Sequence, residues 1–447
     1  MDNTSLTRCI ENPNIDTIYP VFILEKDQIS NNKYFSHNAV QFMCESLIDL
    51  DTQIRQYSRA RLNIFKGDTI DVLDSILSKN DKIEYIYCNE DYSVYAKSRD
   101  KRIQELCLKH GVKMIMYEDY LLVGIHECLS KDRPYAVLAQ FYKRFLKENV
   151  RKPEYPSNFK KLEKMPKTMS ISDLSSIFNY NNMLAIRGGR TEAWKRLDFI
   201  LPKLKTKYQS SRNTISDANG TTKMSAHLKF GTISVREMYW RCVSLFKTKD
   251  HPLIRELVFR EFYTKIYGLR PELQRDVAYL NKLDKSIKWN TRPDYWKAWT
   301  TGTTGFPIVD AGMRQLISTG YTHNRARMIQ GSFATRHLMM DWRDCARFYA
   351  TQLVDIDPFV NIASWQWCAG VGVDAMYYRH PFNPILQAKK FDPECIYIKT
   401  WIPELANVPA KDILNWDDES IRSMYKNIDY PAPIVDLKET SKVLKLV

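Results

Sequence analysis

YTHNRARM (Tyr321–Met328) and DWRDCARFYATQLVDIDPFVNIASWQW (Asp341–Trp367) decide how this chain reads. Three indoles (Trp342, Trp365, Trp367), several carboxylates and two separate Asn residues (Asn324, Asn361) stand in what otherwise reads as buried helical core. A buried Trp usually sets its polar edge beside a partner, and buried Asp and Arg need one. A run this rich in both reads as the lining of a pocket for a large planar, polar ligand.

Working outward, helical geometry sorts the neighbouring residues by face. Glu256, Phe259, Arg260 and Tyr263 recur at i, i+3, i+4 and i+7 and share one stripe. Asn324 and Met328 share a face, as do Asn361 and Trp365. Trp367, two residues on, points roughly 200° away from Trp365. TTKMSAHLKFG (Thr221–Gly231) sets two Thr and a Ser before an apolar-periodic helix, which suits either a phosphate or an ordinary N-cap.

From about Ile171 to Ile402 the pattern is helical. Helices are expected over Glu192–Tyr208, Ala226–Phe246, Leu253–Tyr267, Ile308–Ser318, Asn324–Met340, Trp342–Leu353 and Val360–Val371. The first part alternates instead. Short β-branched and aromatic runs (Tyr19–Leu24, Leu62–Phe65, Ile83–Cys88, Val112–Tyr117) are separated by amphipathic stretches (Asn38–Gln56, Ile70–Ser78, Val94–His110). This predicts a parallel sheet with crossover helices. The division is therefore an α/β parallel-sheet domain over 1–128, a basic connector over 129–170 that runs over the surface, and an all-α domain over 171–447.

A chain of 447 residues is too long for one ordinary core. Its 66 Lys and Arg against 52 Asp and Glu give +14, which points to a polyanion such as nucleic acid. Nine scattered cysteines with no CxxC pair weaken zinc and iron–sulfur readings and favour free thiols in a reducing compartment. No signal-peptide core and no bilayer-length apolar run is present, so an intracellular, soluble protein of cytoplasm or nucleus is expected, with no membrane contact.

NRARM, DWRD, Asp355-Ile356-Asp357, WQW and GFPIVDAGMRQL (Gly305–Leu316) together resemble the photolyase/cryptochrome flavoprotein family. RPYAVLAQFYKRF (Arg133–Phe145), RGGRTEAWKRLDFI (Arg187–Ile200) and FDPECIYIKTWIPEL (Phe391–Leu405) are similar to further family segments. The resemblance runs from near the N-terminus to about Pro409 and is nearest to class I cyclobutane pyrimidine dimer photolyases. It implies that the helical domain binds FAD in a folded U shape. Tyr208, Thr221, Thr222, Met224 and Ser225 match positions around the phosphates and ribityl chain, with Lys223 a departure among them. Asn324, Arg327, Asp355, Asp357 and Asn361 match positions around the isoalloxazine and adenine. Asn361 falls where the family faces flavin N5; an uncharged amide there suits an anionic reduced flavin, whereas plant-type cryptochromes carry Asp.

Trp365, Trp342 and Trp289 match, in order from flavin to surface, the family's electron-transfer triad; Trp296, Trp299 and Trp401 read as packing. Glu256, Phe259, Asn324, Met328 and Trp367 match the lining of the lesion cavity, with Glu256 giving a proton to a pyrimidine carbonyl and Arg325 near DNA phosphates. The activity implied is light-dependent DNA repair: a carbon–carbon lyase splits cyclobutane pyrimidine dimers by electron transfer from photoexcited FADH⁻, on damaged DNA, as a monomer and without a metal. The alternatives are a cryptochrome-like blue-light photosensor without repair, and a nucleic-acid-binding protein whose pocket has decayed. Two departures stand out. Phe259 replaces a usual Trp. Family members also place a strand before Asp-Asn, whereas here Asp2-Asn3 open the chain, so the sheet is expected without its first strand. That leaves a second, antenna chromophore (folate or deazaflavin) open.

Overall fold

The computed structural model describes residues 2–30, 32–156, 158–375 and 380–446. Four strands fall where the β-branched runs stand: β1 (Val21–Leu24), β2 (Asn63–Lys66), β3 (Tyr85–Asn89) and β4 (Lys113–Tyr117). β1 pairs with β2 and β3 with β4, both parallel. Each pair is joined by a crossover helix, His37–Tyr57 in the first and Val94–Lys109 in the second. Ser36 and Ser93 start these helices, their hydroxyls accepting from the backbone N–H of Ala39 and Ala96. Asp68 does the same for the Thr69–Ser78 helix between the pairs.

The expected single sheet is in fact two two-stranded ladders. Among the described residues no strand pairs with both β1 and β3. The chain after Asp2-Asn3 forms a helix, Thr4–Glu11, capped by Asn3 and held to β3 by the Asn12 amide donating to the Tyr87 hydroxyl at 3.1 Å. Sequence alternation locates strands, but the hydrogen-bonding partners of a strand depend on distant segments.

Packing divides the chain into two compact units. One comprises Met1–Tyr180, Ile186–Pro202 and Lys223–Gln274; the other comprises Asn181–Ala185, Lys203–Thr222 and Arg275–Val447. Three stretches of helical pattern thus belong with the strands. Residues 129–170, expected as a surface connector, contain the Leu138–Phe145 helix, which buries Leu138, Phe141, Tyr142 and Phe145.

In the second unit the helices follow the apolar periodicity. They are Pro307–Thr319, Asn324–Ser332, Trp342–Gln352 and Pro358–Ala369, and they share one core cluster with Trp299, Phe306, Leu316, Phe333, Trp342 and Trp365. Two expected helices are broken. Ala226–Phe246 is two, Ser225–Phe230 and Val235–Phe246, because Gly231 takes a left-handed φ of 67° and Ser234 with Glu237 starts a new helix through a capping box. Asn324–Met340 ends at Ser332 and passes into one π-helical turn, Phe333–His337. At the seam between the Asn324–Ser332 and Pro358–Ala369 helices stands Gly331; a Cβ there would lie 2.7 Å from the Cys368 sulfur.

Candidate functional site

Three helices of the second unit carry most of the residues singled out by sequence, and each starts on a polar side chain. His323 Nδ1 accepts from the Arg325 N–H at 3.0 Å and opens Asn324–Ser332. Asp341 Oδ1 accepts from the Arg343 N–H at 2.9 Å and opens Trp342–Gln352. Asp357 Oδ1 accepts from the N–H groups of Phe359 (3.0 Å) and Val360 (3.2 Å) and opens Pro358–Ala369. Asp357, matched by sequence to a cofactor position, is thus also a helix cap, which the DPF tripeptide already signals.

Arg327 and Asp355 come together. Arg327 Nη2 donates to both Asp355 oxygens, at 2.9 and 3.1 Å, and Nε donates to the Thr322 carbonyl at 2.9 Å. The Asp355 side chain is 3% exposed. Burial alone would lower the Arg327 pKa, but Asp355 and Tyr321 outweigh it and hold the guanidinium charged. The Tyr321 ring lies 5.3 Å from that guanidinium.

Asn361 is half-buried and its Nδ2 donates to the Ala346 carbonyl at 3.0 Å. That bond fixes the amide orientation and makes Oδ1 the atom it presents elsewhere. Asn324 and Met328 share a face as expected, the amide reaching the thioether sulfur at 3.8 Å. Arg325 is engaged within its own unit: Nε and Nη2 meet Asn213 Oδ1 at 3.3 and 2.8 Å, and its guanidinium lies 4.4 Å from the Phe391 ring centre. Burial and Arg212 lower its pKa.

The indoles face different surroundings. Trp365 is in the core, edge-on to Tyr349 at 4.8 Å and to Trp299 at 5.9 Å. Trp367 is half-buried, donates Nε1–H to the Asp374 carbonyl at 3.0 Å and lies 6.5 Å from Phe382. The WQW pair thus points two ways, as helical geometry requires. Trp342 is buried and donates Nε1–H to Asp284 at 3.0 Å. Trp289 is half-buried against the same cluster. Trp299, Trp296 and Trp401 pack in or against it, in line with their reading as packing residues. Asp284, 58 positions from Trp342, carries no sequence signal, whereas Arg343 stands beside Trp342 in DWRD.

The remaining residues behave differently. Tyr208 is buried, with the Arg212 guanidinium 5.6 Å from its ring, and Thr222 is buried close by in sequence with Thr221 half-buried. Met224 is buried and Ser225 exposed in the first unit. The Ser225–Phe230 helix is capped by no side chain, so of the two readings of TTKMS the ordinary N-cap is not formed.

Also in the first unit, the Pro252–Leu269 helix is buried along most of its length, yet Glu256, Phe259 and Arg260 form a half-buried stripe. Phe259 lies edge-on to Tyr263 at 4.7 Å, and the Arg260 guanidinium stacks 3.8 Å from the Tyr120 ring centre. Sequence reading passed over this helix's opposite face. There Glu261 accepts from the N–H of Leu122 at 2.6 Å, and Lys265 donates to the carbonyls of Gly124 and Glu127, pinning residues 122–127. Burial pushes Glu261 up to about 6. Its signal was an i, i+4 Glu–Lys pair inside an apolar helix. Among the described residues no group of three or more His, Cys, Asp and Glu is placed to hold a metal, and no helix is long and apolar enough to cross a membrane.

Comparison with known proteins now adds independent findings. A family profile described as DNA photolyase matches residues 1–158, and one described as the FAD binding domain of DNA photolyase matches residues 253–446. A deoxyribodipyrimidine photo-lyase of Alkalihalophilus pseudofirmus is 32% identical over 92% of this chain and 86% of its own length. The crystal structure of an archaeal photolyase from Sulfolobus tokodaii with two FAD molecules superposes with a TM-score of 0.87 at 35% identity, covering 100% of this chain and 96% of that one. A Synechocystis cryptochrome shares the fold at 23% identity and a TM-score of 0.86, covering 100% of this chain and 96% of that one.

Proposed function

The chain belongs to the photolyase/cryptochrome family, and from that footing we propose that it is a deoxyribodipyrimidine photolyase, splitting cyclobutane pyrimidine dimers in damaged DNA with FAD as cofactor. The observation that carries the reading is Asn361. Its amide is locked to the Ala346 carbonyl and offers a neutral acceptor oxygen, which would suit a reduced flavin because it adds no negative charge beside an anionic ring. A carboxylate in that place would repel the reduced, electron-donating form.

The donor set of this chain fits a flavin dinucleotide. A buried guanidinium–carboxylate pair, Arg327 with Asp355, matches the polar edge of a planar ring, and the carboxylate holds the guanidinium charged. Thr221, Thr222, Tyr208, Met224 and Ser225 are assigned to the phosphate and ribityl portion, and Asn324 and Asp357 to the dinucleotide's remaining polar groups. When bound and illuminated, reduced FAD supplies the electron that opens the cyclobutane ring and takes it back afterwards. The chain's own residues do the rest. Asn324, Met328 and Trp367 are assigned to the everted pyrimidine pair, whose poor stacking in the duplex lowers the cost of eversion. Glu256 is assigned as proton donor to a pyrimidine carbonyl and Phe259 as an apolar wall. Arg325 and the net charge of +14 favour DNA phosphates. Trp365, Trp342 and Trp289 are assigned to refilling the flavin with electrons from the surface.

The test incubates reduced full-length chain with a dimer-bearing oligonucleotide under blue light. Restored thymines are the expected product; their absence with the flavin fully reduced would overturn the proposal.

A further inference from the structure

Trp342 differs from Trp289 and Trp299, which pack in or against the same cluster, in what its N–H meets. The Nε1 atoms of Trp289 and Trp299 are buried with no hydrogen-bond partner among the described residues. Trp342 Nε1–H donates to Asp284 Oδ1 at 3.0 Å, and the Asp284 side chain is 4% exposed. The Arg343 guanidinium pairs with that same carboxylate and with Asp341, and it lies 4.5 Å from the Trp342 ring centre. Arg347 extends the network to Asp344 and Asp276. Four carboxylates (Asp276, Asp284, Asp341, Asp344) therefore stand against two guanidinium groups (Arg343, Arg347) around one buried indole.

Positive charge on an indole ring is stabilised by a nearby carboxylate, most of all one that accepts the N–H, and opposed by a guanidinium over the ring face. We propose that Asp284 is a positioning residue for photoreduction: it stabilises the positive charge while it stands on Trp342, between Trp365 and Trp289, with Arg343 opposing that stabilisation. This rests on the reading that light-excited flavin draws its electron from Trp365. One electron leaves the Trp342 ring and fills the vacancy on Trp365. The Nε1 proton shifts along its hydrogen bond toward Asp284 Oδ1 and is not released. When an electron comes back to the ring, the proton returns to Nε1. The step consumes nothing beyond the one-electron vacancy created by the excited flavin.

Asp284→Asn keeps the side-chain shape and removes the charge; Arg343→Gln removes the opposing charge. In flavin-loaded full-length chain after a blue flash, the lifetime of the radical on Trp342 is expected to shorten about tenfold or more in Asp284→Asn and to lengthen in Arg343→Gln. The indole 15N–1H resonance of Trp342, a readout independent of turnover, is expected to move upfield in Asp284→Asn as the charged acceptor is lost. A purely structural role predicts loss in both variants, so lifetimes that move in the same direction overturn the proposal, as does an Asp284→Asn lifetime within about twofold of the parent. Should Asp284→Asn fail to fold, Arg343→Gln decides alone: a longer lifetime supports the proposal, and an unchanged or shorter one overturns it. Trp342→Phe separates the two levels. If it leaves the radical intact, the triad reading itself falls; if it abolishes the radical while Asp284→Asn changes nothing, only the role of Asp284 falls.

Discussion

Leu24 in β1 and Leu316 in the Pro307–Thr319 helix are both completely buried, yet they sit in different kinds of interior. Leu24 belongs to a small cluster with Val40, Cys44, Leu47, Leu62, Ile64 and Leu174, and the strands around it carry two further separate clusters. Leu316 belongs to one continuous cluster that runs from Ile215 to Tyr430 and includes Trp299, Trp342, Tyr349 and Trp365. Small clusters can relax toward their margins when a side chain shrinks. A large, close-packed cluster has less freedom to close a void, and it transmits what it cannot close. The comparison teaches what holds Arg327, Asp355 and Asn361 in place: each stands within a few residues of members of the continuous cluster (Ile329, Leu353 and Trp365), whose packing fixes the backbone that carries them.

The same truncation in both places is the sharpest test. Leu316→Ala is expected to cost about 4–5 kcal/mol and Leu24→Ala about 2–3 kcal/mol, near the two ends of the range for such changes. Urea denaturation of full-length chain measures both, and equal losses would remove the distinction.

Next in size is a pH effect. Burial pushes His337 down to about 4 from its usual 6.5, with Nε2 donating to the Phe382 carbonyl and Nδ1 accepting from the Thr440 hydroxyl. A base whose folded pKa is depressed resists protonation when folded. Its contribution is complete above about pH 6.5 and drains away as pH falls towards 4. The loss amounts to about 3 kcal/mol. His227, in the strand-bearing unit, is pushed down to about 4 by burial in the same way. Stability is expected to fall between pH 6.5 and 4, with His337→Gln and His227→Gln each flattening part of the slope; an unchanged slope in either variant would show that its histidine takes up the proton without strain.

Loss of the Asp357 cap follows, at about 1 kcal/mol for Asp357→Ala on the cap alone. Flavin content of the purified variant extends this test: a drop far beyond what the stability loss predicts supports a cofactor role beside the cap. The smallest effect is expected on the surface. Arg241 and Asp198 form a pair at 2.8 Å in which both side chains are more than half exposed. Asp198→Asn is therefore expected to change stability by less than about 0.5 kcal/mol. A larger loss would mean that exposed pairs carry weight in this unit.

Much of the fold was legible because periodicity is a local signal. All four strands and the helices around Leu316, Trp342 and Asn361 stand within a few residues of where alternation or 3.6-residue spacing put them, and the helix from Asn324 starts where it was expected. What alternation does not encode is which strand faces which, so the two separate ladders were out of reach, as was the grouping of residues 223–274 with the strands. The break at Gly231 was quotable, since glycine just past a helix end is a stop signal, but a strong amphipathic pattern on both sides concealed it. In the site, i, i+4 spacing foretold the Asn324–Met328 contact, and i, i+2 spacing the opposite aims of Trp365 and Trp367. The Arg327–Asp355 pair came from the family's pattern. Asp284 was invisible because a hydrogen bond between residues 58 positions apart leaves no trace in either residue's neighbourhood.

Gly331 carries a consequence for the whole arrangement. With hydrogen alone at that seam, the backbone bearing Arg327 and the backbone bearing Asn361 settle at a separation set by the Cys368 sulfur. One added methyl, as in Gly331→Ala, would act as a shim: the smallest steric change the genetic code offers would press on Cys368 and so on the spacing of the helices that carry Arg327 and Asn361, with every polar residue left intact.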